Sequence, residues 1–294
     1  MLLLMDDDVR LLNSLKHRDP SVRRQAIRAL LQKDLEPALA LRRFTRALAD
    51  ADPEVAIAAV QGLARLGRPA VPALTQALDS PNLLVRREAV AAFVRLGPEA
   101  HAAVAALCQA TQDSDLRTQQ GAIRALGQIG PRAHAAVPAL IAALGSTHFL
   151  TCRLAAWALG RIGPAAVAPL ADALRAPDIY TRTDAAWALT QMGQDARAAA
   201  AALKSVLRPA AARLEARTPQ ADNEEADLEP TVPIFLAPRR GTVEAFLIWT
   251  LRALGAIGRE AQAAVAELKL LLQAKNGTIR VVTEQTLLQI EGEQ

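Results

Sequence analysis

The sequence predicts an all-α fold: a right-handed α-solenoid of about eight helical hairpins running through residues 1–294. Three observations lead to it. Pairs of a large apolar residue and glycine recur at Leu66-Gly67, Leu96-Gly97, Ile129-Gly130, Ile162-Gly163, Met192-Gly193 and Ile257-Gly258, the glycines stepping by 30, 33, 33, 30 and 65 residues. An alanine-rich helical stretch precedes each pair, as in Ala122-Ile123-Arg124-Ala125-Leu126 and Ala155-Ala156-Trp157-Ala158-Leu159. Half the chain is apolar (51%) but only 3% is aromatic, so the apolar content is small and aliphatic and suits closely packed helices.

Each part of the repeat has a physical reason. Asp19-Pro20, Asp52-Pro53 and Ser80-Pro81 read as an N-cap oxygen followed by proline at the first helical position. The glycine stops the first helix, where a left-handed C′ residue is needed. A second helix follows, as in Ala70-Val71-Pro72-Ala73-Leu74, with its proline in the first turn, where no amide hydrogen bond is lost. One such hairpin cannot bury its apolar face alone, so the units must stack. The count runs to an N-terminal unit (about 6–50), five continuous units (51–207), one more at 242–274 and a C-terminal helix at 277–291.

This pattern resembles the HEAT repeat, in the short variety found in phycobilisome lyase subunits and many bacterial proteins. The resemblance implies a scaffold that holds a protein or peptide, with second helices lining a concave face. It also implies an Arg near the start of each first helix that pairs with an Asp of a neighbouring unit. Arg23, Arg86, Arg182 and Arg280 fit that position, whereas Ala56, Gln119, Cys152 and Leu247 depart from it. Two other readings follow from relatives of the same architecture: a bilin-lyase-like subunit acting on a chromophore-bearing protein, and a nucleic-acid binder like the HEAT-like alkylpurine DNA glycosylases. The HEAT-type deoxyhypusine hydroxylases bind iron through His-Glu pairs, and no His here is followed by Glu.

The chemistry-bearing residues are sparse. His101 and His134 occupy equivalent places in adjacent repeats, roughly one helix spacing of 8–10 Å apart, too far to share a metal bonded at about 2 Å. Cys108 and Cys152 fall in different repeats and are expected as free thiols of a reducing cytoplasm. There is no phosphate loop, CxxC or nucleophile elbow. The expectation is therefore no catalytic residue, no metal and no cofactor.

The net charge of +4 is modest, and the row just after the central leucines of the second helices (Thr75, Gln76, Cys108, Gln109, Ile141, Ala142, Ala171, Asp172, Lys204, Ser205) is nearly uncharged. A groove for nucleic acid would need several cations there. The apolar start Met1–Met5 runs straight into Asp6-Asp7-Asp8 without a basic region, so no secretory signal is expected. The charge-free run Ala133–Cys152 crosses a repeat boundary and reads as two helices of a soluble chain rather than a membrane span.

Two features stand out as candidate partner-binding elements. Trp157 and Trp187 lie about 200° round their helices from the core residues, where other units place Arg28, Gln61 or Arg124. They read either as an outward aromatic pair or as a ridge between neighbouring first helices. The second feature is an inserted loop over 208–241, with acidic Asp222, Glu224, Glu225, Asp227 and Glu229 and an apolar island, Ile234, Phe235 and Leu236, between Pro233 and Pro238. That composition packs no core of its own, and the island reads as a docking element.

Overall fold

A computed structural model describes residues 6–33, 35–216 and 242–292. Every element in them is helical. The chain divides into two compact units, Met1–Ala136 and Val137–Gln294.

Unit 1 opens with α1 (Asp6–Ser14) and continues with α2 (Pro20–Leu31), α3 (Pro37–Ala47), α4 (Pro53–Arg65), α5 (Val71–Leu78), α6 (Leu83–Leu96), α7 (Val104–Ala110) and α8 (Leu116–Ile129). Unit 2 comprises α9 (Val137–Leu144), α10 (Phe149–Ile162), α11 (Val167–Ala173), α12 (Ile179–Met192), α13 (Ala200–Glu215), α14 (Val243–Ile257), α15 (Val265–Leu271) and α16 (Gly277–Glu291). In chain order this is α1, seven pairs of first and second helices, and α16 alone. The C-terminal unit of the sequence reading is thus one helix, and short 3-10 turns such as Arg68–Ala70 lead into the second helices.

Within each unit the first helices pack side by side, α2 on α4, α4 on α6 and α6 on α8 in unit 1, and α10 on α12, α12 on α14 and α14 on α16 in unit 2. Each second helix rests on the next first helix, as α5 does on α6 and α11 on α12. Small residues make this possible. Ala89, Ala92, Ala122 and Ala125 in unit 1, and Ala155, Ala158, Ala185 and Ala188 in unit 2, are fully buried. At Gly121 the approach is closer still, because an added Cβ would collide with the Val90 side chain. Larger side chains fill the space between the helix layers: Leu74, Phe93, Leu107 and Leu126 in unit 1, and Leu140, Leu159, Leu170 and Leu203 in unit 2.

The ends of the first helices are fixed locally. Asp19 and Asp52 accept the amides of Ser21 and Glu54 with Pro20 and Pro53 at the first helical position, as the sequence implies. At the third site the cap moves: Asn82, not Ser80, accepts from the Leu84 amide, and α6 starts at Leu83. Ser80 instead accepts from the Asn82 amide. The repeat glycines all have positive φ, but Gly163, at φ 81° and ψ −140°, shows that the conformation is not left-handed helical. It is the extended mirror region that only glycine enters easily.

The insertion also begins later than its composition suggests. Helix α13 continues through Pro209 to Glu215, carried by Ala210, Ala211 and Ala212. Residues 217–241 lie outside the described residues. Among the described residues one helical stretch, Leu83–Ala110, has the length and hydropathy to cross a membrane, and Gly97 at φ 54° breaks it in two.

Arginines and aspartates join repeats in unit 1. Arg23 donates from Nε and Nη2 to Asp50 (2.8 and 2.7 Å), and Arg86 does the same to Asp113 (2.7 and 3.1 Å). The remaining nitrogen of each guanidinium holds two carbonyls of its own helix entry, His17 and Arg18, or Ser80 and Pro81. The next residue along forms a second grip: Arg87 binds Asp115 through two bonds of 2.8 and 2.5 Å, while Arg24 Nε sits 3.2 Å from Asp52 without hydrogen-bond geometry. So an Arg-Arg pair clasps the Asp-x-Asp turn that enters the following first helix. Within the turn, Asp50 and Asp113 accept the amides of Asp52 and Asp115, which cap α4 and α8.

The clasp shifts proton affinities. The Arg86 guanidinium, helped by the Asp115 amide, holds the Asp113 carboxyl below the usual aspartate range against the opposing effect of burial. Arg87 does the same for Asp115, with further bonds from Thr118. At Asp50 burial pushes upward most strongly, but the bonds from Arg23 and the Asp52 amide together outweigh it. A carboxyl whose pKa falls on folding stabilises the fold above its unfolded value, about 3.9, and that contribution fades as pH drops through the folded value.

Four outcomes follow. The melting temperature should hold from about pH 7 to 5 and fall below about pH 4. Arg86→Ala should cost about 1–3 kcal/mol near neutrality and flatten that acid slope; an unchanged slope would show that the clasp is not what titrates. Gly121→Ala should destabilise by about 1–3 kcal/mol through overpacking against Val90, read by urea unfolding. Leu159→Asp, which buries an unpaired charge, should cost several kcal/mol and remove helix signal from more of unit 2 than α10 and α11, because the stack is stabilised through neighbours. Hydrogen exchange confined to those two helices would contradict it.

Candidate functional site

Large apolar side chains stand exposed directly after the helix caps, Leu83, Leu84 and Leu116 in unit 1 and a larger set in unit 2. Helix α10 starts with Phe149 and Leu150, which are 58% and 53% exposed, and Tyr180 near the start of α12 is 49% exposed. Leu150 and Tyr180 both stand two residues after their N-caps, His148 and Asp178. Because α10 packs on α12, the equal register places them on the same edge of neighbouring first helices. Of the corresponding residues, Ser21, Glu54 and Arg117 are polar, while Leu84 on α6 is apolar and 49% exposed but has no exposed apolar counterpart on α4 or α8. Single exposed leucines are ordinary; aligned large ones on adjacent helices form the beginnings of a patch.

Those tryptophans are half-buried. The Arg153 guanidinium lies 3.7 Å above the Trp187 ring, so α10 covers one face of the Trp on α12. The same guanidinium is 3.7 Å from the fully buried Asp184 carboxylate. Arg153 therefore ties Trp187 into the helix layer. The apolar island Ile234, Phe235 and Leu236 lies outside the described residues.

The row after the central leucines of the second helices is partly exposed throughout, with Gln76, Gln109, Ala142, Asp172 and Ser205 outermost. In unit 2, Arg175 reaches this row and donates to Ser205 at 2.9 Å. Lys204 pairs with Glu267 at 3.5 Å. The cations near it are thus partly engaged within the chain.

The buried Cys152 donates its thiol to the Ser146 carbonyl at 2.9 Å, the same i−6 acceptor that the repeat arginines take in other units. Burial pushes the Cys108 thiol up, away from the reactive thiolate. His101 Nδ1 sits 3.3 Å from the Pro98 carbonyl and 3.4 Å from Arg132 Nη1, and His134 is exposed. Among the described residues no group of three or more His, Cys, Asp or Glu side chains is arranged to hold a metal.

Comparison with known proteins agrees with this architecture. The profile described as HEAT repeats matches residues 9–93, 41–107, 71–156 and 137–218. No curated protein matches the sequence. Among solved structures, the karyopherin Kap121p bound to the extreme C-terminus of the protein phosphatase Cdc14p is 12% identical, with a TM-score of 0.65 over 98% of this chain and 34% of that one. Yeast importin-beta, Kap95p, is 15% identical, with a TM-score of 0.53 over 96% of this chain and 42% of that one. The complex of CpcE and CpcF of phycocyanin lyase from Nostoc sp. PCC7120 is 20% identical and covers 92% of this chain and 97% of that one, at a TM-score of 0.42. The chain spans less than half the length of either karyopherin, and at these identities the likeness is one of fold. Repeated matches across most of the described helices, joined to the glycine-ended first helices and the Arg–Asp clasps, place this chain in the family of HEAT repeats.

Proposed function

We propose that this protein is a non-enzymatic interaction scaffold that holds a protein partner, in part through the edge formed by α10 and α12. The observation that carries the proposal is the aligned exposure of Leu150 and Tyr180 beside Phe149 on two packed helices. Apolar area left in water forgoes roughly 25 cal/mol per Å² of available burial, and a partner surface recovers it. The fold supports the same reading: Kap121p, similar in fold, has been solved bound to Nup53p and to the Cdc14p terminus. The free thiols of Cys108 and Cys152 support a cytoplasmic setting as part of the proposal.

The test compares the full chain with a Leu150→Asp/Tyr180→Asp variant in capture from native lysate, followed by reconstitution of whatever is captured in stoichiometric amount. The reconstituted complex should weaken at least tenfold in the variant, while its melting curve stays within about 0.5 kcal/mol of the parent, as surface changes do. Equal affinity in parent and variant would remove this edge from the interface.

A further inference from the structure

Resting on the scaffold reading, we infer that unit 2 contains an aspartate-binding slot for a partner peptide, built by Arg182 and lined by Phe246 and Arg213. The argument is internal to the chain. Arg182 occupies the position of Arg23 and Arg86 and makes the same two helix-entry bonds, to the carbonyls of Ala176 and Pro177 at 2.9 and 3.1 Å. In Arg23 and Arg86 the other edge of the guanidinium, Nε and Nη2, holds an aspartate from the turn before the next first helix. The stretch entering α14, Pro238-Arg239-Arg240-Gly241, offers no carboxylate at all.

Arg280 also makes its two helix-entry bonds without a carboxylate, but among the described residues no further first helix follows it; of the arginines that face a following turn, the mismatch falls on Arg182. In unit 1 the turn entering α6 has Ser80 in place of aspartate, and the residue sharing its recess is Ala56 rather than arginine. In unit 2 the turn entering α12 has Ala176, and the preceding first helix carries Cys152. Where the acceptor is lacking, the donor is lacking too. Arg182 retains the donor, and among the described residues no carboxylate lies within ion-pair distance of it. Asp178 is the nearest acid acting on it, but its carboxylate caps α12 by accepting the Thr181 amide at 2.7 Å.

The space for a ligand is present. A cavity of about 280 Å³ opens beside Arg182, with Phe246, Val243 and Ile179 as its apolar wall and Arg213 and Arg175 at its rim. The guanidinium stands 5.7 Å above the Phe246 ring. Proton affinities run in opposite directions in the filled and unfilled slots. Bonds from Asp113 raise that of Arg86, whereas burial, and then Arg213, lower that of Arg182. An aspartate flanked by small or aliphatic residues meets all three demands: a planar acceptor for two parallel N–H bonds, negative charge for Arg213, and apolar area for Phe246.

The probe is a fluorescein-labelled peptide of this chain's own clasped turn, Thr111 to Leu116, titrated into the full-length protein. Saturable binding is expected, weakened at least tenfold by Arg182→Lys, which keeps the charge but not the paired donors, and by Asn in place of the aspartate equivalent to Asp113. Binding that ignores either change overturns the slot. Inorganic phosphate displacing the peptide at lower concentration than acetate would overturn it in favour of a phosphate site. Peptide binding that emerges only when Asp222, Glu224, Glu225, Asp227 and Glu229 are replaced by amides would overturn the partner assignment in favour of the chain's own acidic segment. Thermal melts of each variant verify folding. If peptide binding fails while capture through Leu150 and Tyr180 persists, the slot alone is refuted; if capture fails while the peptide binds through Arg182, the edge is refuted and the slot stands.

Discussion

The close approach of neighbouring first helices is the constraint on which everything else in each unit depends. It requires alanine or glycine on the contacting faces, and Ala89, Ala92, Ala122, Ala125 and Gly121 meet that requirement in unit 1. Small residues contribute little apolar area each, so the larger side chains must come from between the layers, where Leu74 and Phe93 sit. Close backbones also leave no room for long entry loops. Most helices are therefore followed by the next within a few residues, and glycine in a conformation that other residues rarely adopt recurs at the ends of the first helices from α4 to α14.

Short entries place helix caps where they can serve two ends. Asp52 and Asp115 satisfy amides of their own helices while standing beside the arginines of the preceding repeat. Asp50 and Asp113 tie the turn and the neighbouring guanidinium together through bidentate bonds that are largely shielded from water. Such pairs resist screening better than open surface ion pairs. The specificity of the clasp explains why the arginine position varies with the turn it faces.

Much of this was legible in the sequence, because glycine spacing and alanine runs report directly on helix ends and helix contacts. The all-α class and the order of first and second helices could be read from residue type and period, whereas the pairing of Arg23 and Arg86 with aspartates was implied only by the resemblance to HEAT repeats. The misplaced cap at Ser80 shows the limit: Ser-Pro and Asn two residues later are equally good starts, and only the path of the chain selects Asn82. The extension of α13 through Pro209 was hidden because proline argues against a helix interior, and the alanines after it outweigh that locally. The setting of Trp187 depended on Arg153, a residue one repeat away whose reach the helical period does not encode. For the surface, apolar residues after a cap carry no periodic signal, so Leu150 and Tyr180 became visible only as exposed area.

The clasps of unit 1 alternate with a plain joint. The first and second repeats are tied by Arg23 and Asp50, the third and fourth by Arg86 and Asp113, and between the second and third Ala56 shares a recess with Ser80 and Pro81, with no such ion pair among the described residues. A stack joined in this way is not uniformly elastic. Under tension along the chain the joint at Ala56 bears load without the paired charges that brace its neighbours, so the clasped pairs would part from each other there as blocks.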